Sequence, residues 1–115
     1  MKQDEETRSI DPQKAVDDMI NRAPKYAQAK ADRVYLEEYR KTLKAMLMRE
    51  STAKNAVDRE AEAYASQRYI DHLEALKTAV EAEETHRWTL VAAQARVDVW
   101  RSQNAANRNI ERTTA

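Results

Sequence analysis

Cysteine, glycine and phenylalanine are all missing from this chain, and only two prolines, Pro12 and Pro24, occur in it. Without cysteine, disulfides and thiol chemistry are excluded, and a zinc site would be left with His72, His86 and carboxylates. Without glycine, the tight positive-φ turns of β-hairpins and α/β units have no ready residue. The same absence removes the phosphate loop, the dinucleotide fingerprint and the nucleophile elbow. Lacking phenylalanine and leaning on alanine, the chain builds a thin core and gains from burying more apolar surface in an oligomer. No apolar run approaches the ~20 residues of a membrane span. The opening residues Met1 to Glu6 are too acidic and polar for a signal or transit peptide, so a cytoplasmic protein is expected.

What is present is charge and helix formers. The 115 residues carry 20 basic and 20 acidic side chains, 35 % of the chain, at a net charge of zero. Prominent Ala, Glu, Lys, Arg and Leu are the composition of long helices and coiled coils. The length leaves room for one domain, expected over residues 11–110 between flexible tails at 1–10 and 111–115.

Along the chain, Asp11 or Ser9 caps a helix whose first turn holds Pro12. Ala15, Met19 and Ile20 line one side of it to about Arg22, and Pro24 ends it. From Lys25 a long helical stripe runs through Leu36, Tyr39, Leu43, Met46, Ala53 and Val57 to Tyr64. The turn is expected at residues 64–69, with Ser66 as a new N-cap and Tyr64 and Tyr69 clasping it. Tyr69, Leu73, Leu76 and Val80 open the second long helix. The block after Trp88 is apolar on two faces: Trp88, Val91, Ala95 and Val99 on one, Leu90, Ala93, Val97 and Trp100 on the other. Such a helix is normally covered by two partners. Residues from Ser102 onward are expected to fray. The predicted fold is all-α: a long antiparallel helical hairpin with a short N-terminal helix, oligomeric. Folding at residue 66 would set Leu43 near Trp88 to Leu90, Met46 opposite His86 and Val57 near Leu76. A single continuous helix pairing with another chain is the alternative.

Charge is blocked along the chain. Residues 1–24 carry a net −2, 25–54 +4, 55–86 −5 and 87–115 +3. In the predicted hairpin the two basic blocks become neighbours and bring Lys41 and Lys44 beside Arg87, Arg96 and Arg101. With Trp88 and Trp100 in the same half, this is the mixture by which single-strand binders neutralise phosphates and stack bases. The candidate nucleic-acid-binding residues are therefore Lys41, Lys44, Arg87, Arg96, Trp100 and Arg101. The bland reading stands beside it: the tryptophans on a helical stripe are core, and the cations are solvated or paired, as Glu37 with Lys41. Leu90, Val97 and Trp88 are the candidate oligomer or partner interface.

Catalytic and metal constellations fail. His72 and His86 lie 14 residues apart, about 21 Å along one helix, too far to share an ion. Glu83-x-x-His86 occurs once, whereas a di-metal bundle needs matching copies on facing helices. No base is placed to activate Ser51, Thr52, Thr113 or Thr114. No enzyme, metal or cofactor is expected.

Two stretches, VYLEEYRKTLKAMLM at 34–48 and RWTLVAAQARVDVWRSQNAANR at 87–108, resemble a family of small helical proteins of tailed bacteriophages and prophages of Gram-negative bacteria. The likeness spans roughly residues 25–110, with Tyr39, Arg40, Leu43, Lys44, Trp88, Trp100 and Arg101 at the family's recurring positions. It implies an oligomeric accessory role in DNA recombination or replication in the bacterial host cytoplasm, contacting single-stranded DNA or a DNA-bound partner. The alternative is a structural or adaptor protein that binds a phage or host protein in morphogenesis or host takeover.

Overall fold

The computed structural model describes residues 9–114, and the expected N-terminal tail falls largely outside them. The fold is all-α, a helical hairpin of three helices: α1 (Pro12–Glu50), α2 (Ala56–Ala65) and α3 (Gln67–Thr114). The chain forms two compact units. A terminal unit takes in the described residues of Met1–Lys25 and His86–Ala115, and a central unit is Tyr26–Thr85. No described helix is long and apolar enough to cross a membrane.

Asp11 caps α1 as its sequence suggests, its carboxylate accepting from the backbone N–H groups of Gln13 at 3.0 Å and Lys14 at 3.2 Å. Pro24, however, does not end a short first helix: α1 runs through it to Glu50. A proline inside a helix removes one backbone hydrogen bond, here the one to the carbonyl of Ile20. Ile20 and Pro24 are both exposed, so water can satisfy that carbonyl.

The first break comes earlier than the turn expected at 64–69. Residues 51–55 leave the helix, and their polar side chains replace its hydrogen bonds. Ser51 Oγ accepts from the Ala53 N–H and donates to the Glu62 carboxylate. Arg59 Nε donates to the Ala53 carbonyl at 2.8 Å. Asn55 then caps α2, accepting from the Asp58 N–H at 2.8 Å. The expected break at Ser66 is also present: its backbone is extended and separates α2 from α3. Tyr64 and Tyr69 clasp across it edge to face, ring centroids 5.1 Å apart.

Reversal at residue 51 rather than 66 changes the register. In the central unit Leu43 and Leu47 pack with Ala63 and Tyr69, flanked by Tyr39 and Met48. Leu43 therefore has α2 and the start of α3 as neighbours, not the Trp88 block. Met46 and Val57, both placed in the seam by periodicity, are exposed. Three ion pairs tie the first helix to the other two in this unit: Lys44 with Glu60 of α2, and Glu50 with Arg68 and Arg33 with Glu83 of α3. The basic block 25–54 thus meets the acidic block 55–86, and the expected alignment of two basic blocks does not form here.

In the terminal unit the packing residues are small, with Ala15, Ala93 and Val97 buried. Arg22 Nη1 donates to His86 Nδ1 at 3.0 Å. The C-terminal stretch expected to fray is helical to Thr114. Its Ala, Arg and Glu content favours helix, and the Thr113 and Thr114 hydroxyls donate to the carbonyls of Asn109, Ile110 and Glu111.

Candidate nucleic-acid interface

The six residues chosen for phosphate and base contact fall into different units. Lys41 and Lys44 are in the central unit, and Arg87, Arg96, Trp100 and Arg101 in the terminal one. Nor do the arginines share a face of α3. At 3.6 residues per turn Arg87 and Arg101 point within about 40° of each other, but Arg96 points about 180° from Arg87 and about 140° from Arg101. Arg96 instead lines a cleft of about 190 Å³ with Arg22, Lys25, Asp18, Asn21 and Thr89, over the buried Ala93. Trp100, preferred as a stacking ring for its place near the chain end, is half-buried, whereas Trp88 is 57 % exposed with the Arg87 guanidinium 4.6 Å from its ring centre. Of the expected interface residues, Val97 is only 9 % exposed and Leu90 half-buried, so Trp88 alone presents a broad surface. The two apolar faces of the block are thereby distinguished: Ala93 and Val97 point inward, and Trp88, Val91 and Val99 point outward.

The strongest convergence of cations and aromatic rings lies in the central unit. Arg40, Lys41 and Lys44 from α1 face Tyr64 from α2 and Tyr69 from α3 around a cleft of about 360 Å³. The α1 residues reach it because positions 40, 41 and 44 fall within about one helical turn. Lys44 Nζ sits 4.9 Å from the centre of the Tyr64 ring and 3.1 Å from Glu60 Oε1. These neighbours, Tyr64 first and then Glu60, raise the lysine's pKa above its ordinary value and hold it cationic. Arg40 and Lys41 are exposed at the rim, Lys41 making only a loose 3.8 Å pair with Glu38. Tyr69 is buried beneath, and Tyr64 is 44 % exposed, so one ring is anchored and the other offers a surface. The sequence chose Lys41 and Lys44 as contacts, left Arg40 as one more cation of their block, and placed Tyr64 and Tyr69 only in the turn. The loop at 51–55 that swings α2 against them was the missing signal, and Ser51-Thr52 followed by Asn55-x-x-Asp58 carries it.

Further along the central unit, polar contacts join α1 to α3. Arg33 donates to Glu83 through Nε at 2.6 Å and Nη2 at 3.0 Å, and to Glu37 through Nη1 at 2.9 Å. The Glu83 hydrogen bonds, then those of Glu37, raise the guanidinium pKa further above its usual range. His72 Nε2 lies 2.6 Å from the Leu36 carbonyl; a carbonyl only accepts, so Nε2 carries the proton. Tyr39 tilts over that imidazole at 5.6 Å. Glu83 and His86, the single Glu-x-x-His, are each engaged by an arginine, Arg33 and Arg22 respectively. Among the described residues no group of three or more His, Asp and Glu side chains is placed to hold a metal ion.

No protein-family model, curated protein or solved structure matches the chain. The fold and its cleft are the basis for a functional reading.

Proposed function

We propose that the chain is a non-enzymatic, homo-oligomeric accessory protein of DNA recombination or replication that holds single-stranded DNA, in the phage setting its resemblance implies. The observation that carries this reading is the cleft of Arg40, Lys41 and Lys44 around Tyr64 and Tyr69. A base stacks on the exposed side of Tyr64, which contributes on the order of 1–3 kcal/mol per base. Arg40 and Lys41 take the adjoining phosphates, and Lys44, held by Tyr64 and Glu60, fixes the ring between them. Nothing in this arrangement reads a base edge, so binding is indifferent to sequence and steep in salt.

The test is titration of a labelled single-stranded oligonucleotide at low and moderate salt, repeated with the Arg40→Glu/Lys41→Glu and Tyr64→Ala variants. Binding that weakens with salt, falls in both variants and loses about 1.4 from its log–log salt slope in the double variant supports the reading, since each single-strand phosphate contributes about 0.7. Absence of binding at low salt, or binding unchanged in both variants, overturns it. A second reading, an adaptor acting through protein contacts, is favoured by the outward stripe of Trp88, Val91 and Val99. An apolar interface of that kind tolerates salt.

A further inference from the structure

Trp88, Val91, Ala95 and Val99 are all exposed on α3 of the terminal unit. Spaced three, four and four residues apart, they fall within about 80° of one another round the helix. They form one straight outward seam about 17 Å long at 1.5 Å per residue. The seam is bounded unequally. One edge carries a cation near its start, Arg87, and an anion near its end, Asp98, the two pointing within about 20° of each other. The other edge carries Ala92 and Arg96 and has no anion. Arg87 already lies over Trp88, and Asp98 accepts from Gln94 Nε2 at 3.1 Å. A guanidinium has five N–H donors and a carboxylate about four lone-pair sites, so each can serve a further partner.

This edge is complementary to itself under one symmetry. When two copies of a helix face each other antiparallel about a two-fold axis, each edge meets its own copy with the direction reversed. When they face each other parallel, each edge meets the opposite one. With the axis level with the middle of the seam, between Ala92 and Gln94, the antiparallel arrangement sets Arg87 against the second copy's Asp98, twice. In the same register each Trp88 lies against the second copy's Val99 and each Val91 against its Ala95. The small Ala95 at the middle lets the helices approach closely, and the bulky tryptophans close the ends. The parallel arrangement leaves Arg87 with no anion opposite it and brings Asp98 level instead with Arg96, which lines the cleft shared with Asp18.

We propose that this seam is covered by a second copy of the chain, packed antiparallel through α3 about a two-fold axis, with two Arg87–Asp98 ion pairs at its rim. The proposal specifies the homo-oligomer of the preceding section and does not depend on the DNA cleft, so the oligonucleotide titration and the experiment below fail separately.

Sedimentation over a concentration series gives the mass relative to the 13.3 kDa chain. The expected result is a dimer for the wild-type protein and, for Asp98→Arg, a dissociation constant raised about a hundredfold by two like-charge contacts. The swapped pair Arg87→Asp/Asp98→Arg restores the dimer. Orientation is read separately, because the chain has no cysteine of its own. When Val91→Cys and Ala95→Cys chains are mixed and oxidised, the disulfide forms between the two variants. A wild-type monomer at every concentration overturns the proposal. So does an Asp98→Arg dimer of undiminished affinity, or a swapped variant that stays monomeric while helical by circular dichroism. Cross-linking of each cysteine variant only with itself overturns it as well.

Discussion

The two units draw on the same two helices yet are held together differently. The central unit places Leu43, Leu47, Ala63 and Tyr69 in a common cluster and crosses it with the Arg33–Glu83 pair, whose carboxylate residue is only 7 % exposed. The terminal unit packs on alanines and Val97, so each buried position removes less apolar area from water. Their histidines differ as well. His72 donates through Nε2 to a backbone carbonyl, whereas His86 accepts through Nδ1 from Arg22. A glycine-free, alanine-rich chain divides its few large side chains unevenly. The central unit gathers Leu43, Leu47 and Tyr69 inside while leaving Met46, Val57 and Tyr64 exposed, and the terminal unit lines up Trp88, Val91 and Val99 in one outward seam, where a second copy can cover them.

The contrast can be broken most forcefully at Arg33. Arg33→Met leaves Glu83 buried without its bidentate partner and lowers stability more than any other single change, measured by denaturant unfolding. Unchanged stability would mean that the central unit does not rest on this pair. Leu47→Ala truncates the central cluster and costs about 2 kcal/mol, whereas Val99→Ala, at an exposed position, leaves chain stability nearly unchanged and weakens only self-association. Pro24→Ala restores the missing backbone donor inside α1 and raises stability by about 1–2 kcal/mol; no gain on thermal unfolding would show that the helix is already relieved there. His86→Lys sets a cation against Arg22 and costs about 1 kcal/mol, while His86→Gln, which keeps an acceptor, costs less. Smallest is the pH effect at Lys44. Its folded pKa is raised, so its contribution is fully present below the unfolded value near 10.5 and fades only as pH climbs beyond that. The stability advantage of the wild-type protein over Lys44→Met should therefore hold from neutral pH upward and shrink only at the alkaline end.

Much of the fold was legible because helix signals are local. Asp11 capping, the Ser66 break and the Tyr64–Tyr69 clasp can each be read from a few adjacent residues. Periodicity also separated the two faces of the Trp88 block. What it could not supply was which face points inward, since both are equally apolar and only the partner helix decides. Register was lost at one place. Ser51 to Asn55 contains no proline or glycine, and its break depends on Glu62 and Arg59, which the chain brings back from the next helix. An error there displaced every later pairing, so Lys44 was expected beside arginines and lies instead against Glu60 and Tyr64. Pro24 misled for the opposite reason: long helical stretches on both sides outweigh one lost hydrogen bond where the freed carbonyl is exposed.

A second copy that covers the Trp88 seam protects the terminal part of α3 and not its central part, a difference that amide hydrogen exchange at several protein concentrations reads out. Protection of residues 86–101 should rise with concentration as the dimer forms, while that of residues 67–80 on the same helix should stay constant. Equal protection changes in both stretches, or none in residues 86–101 across the range in which the mass doubles, would contradict it.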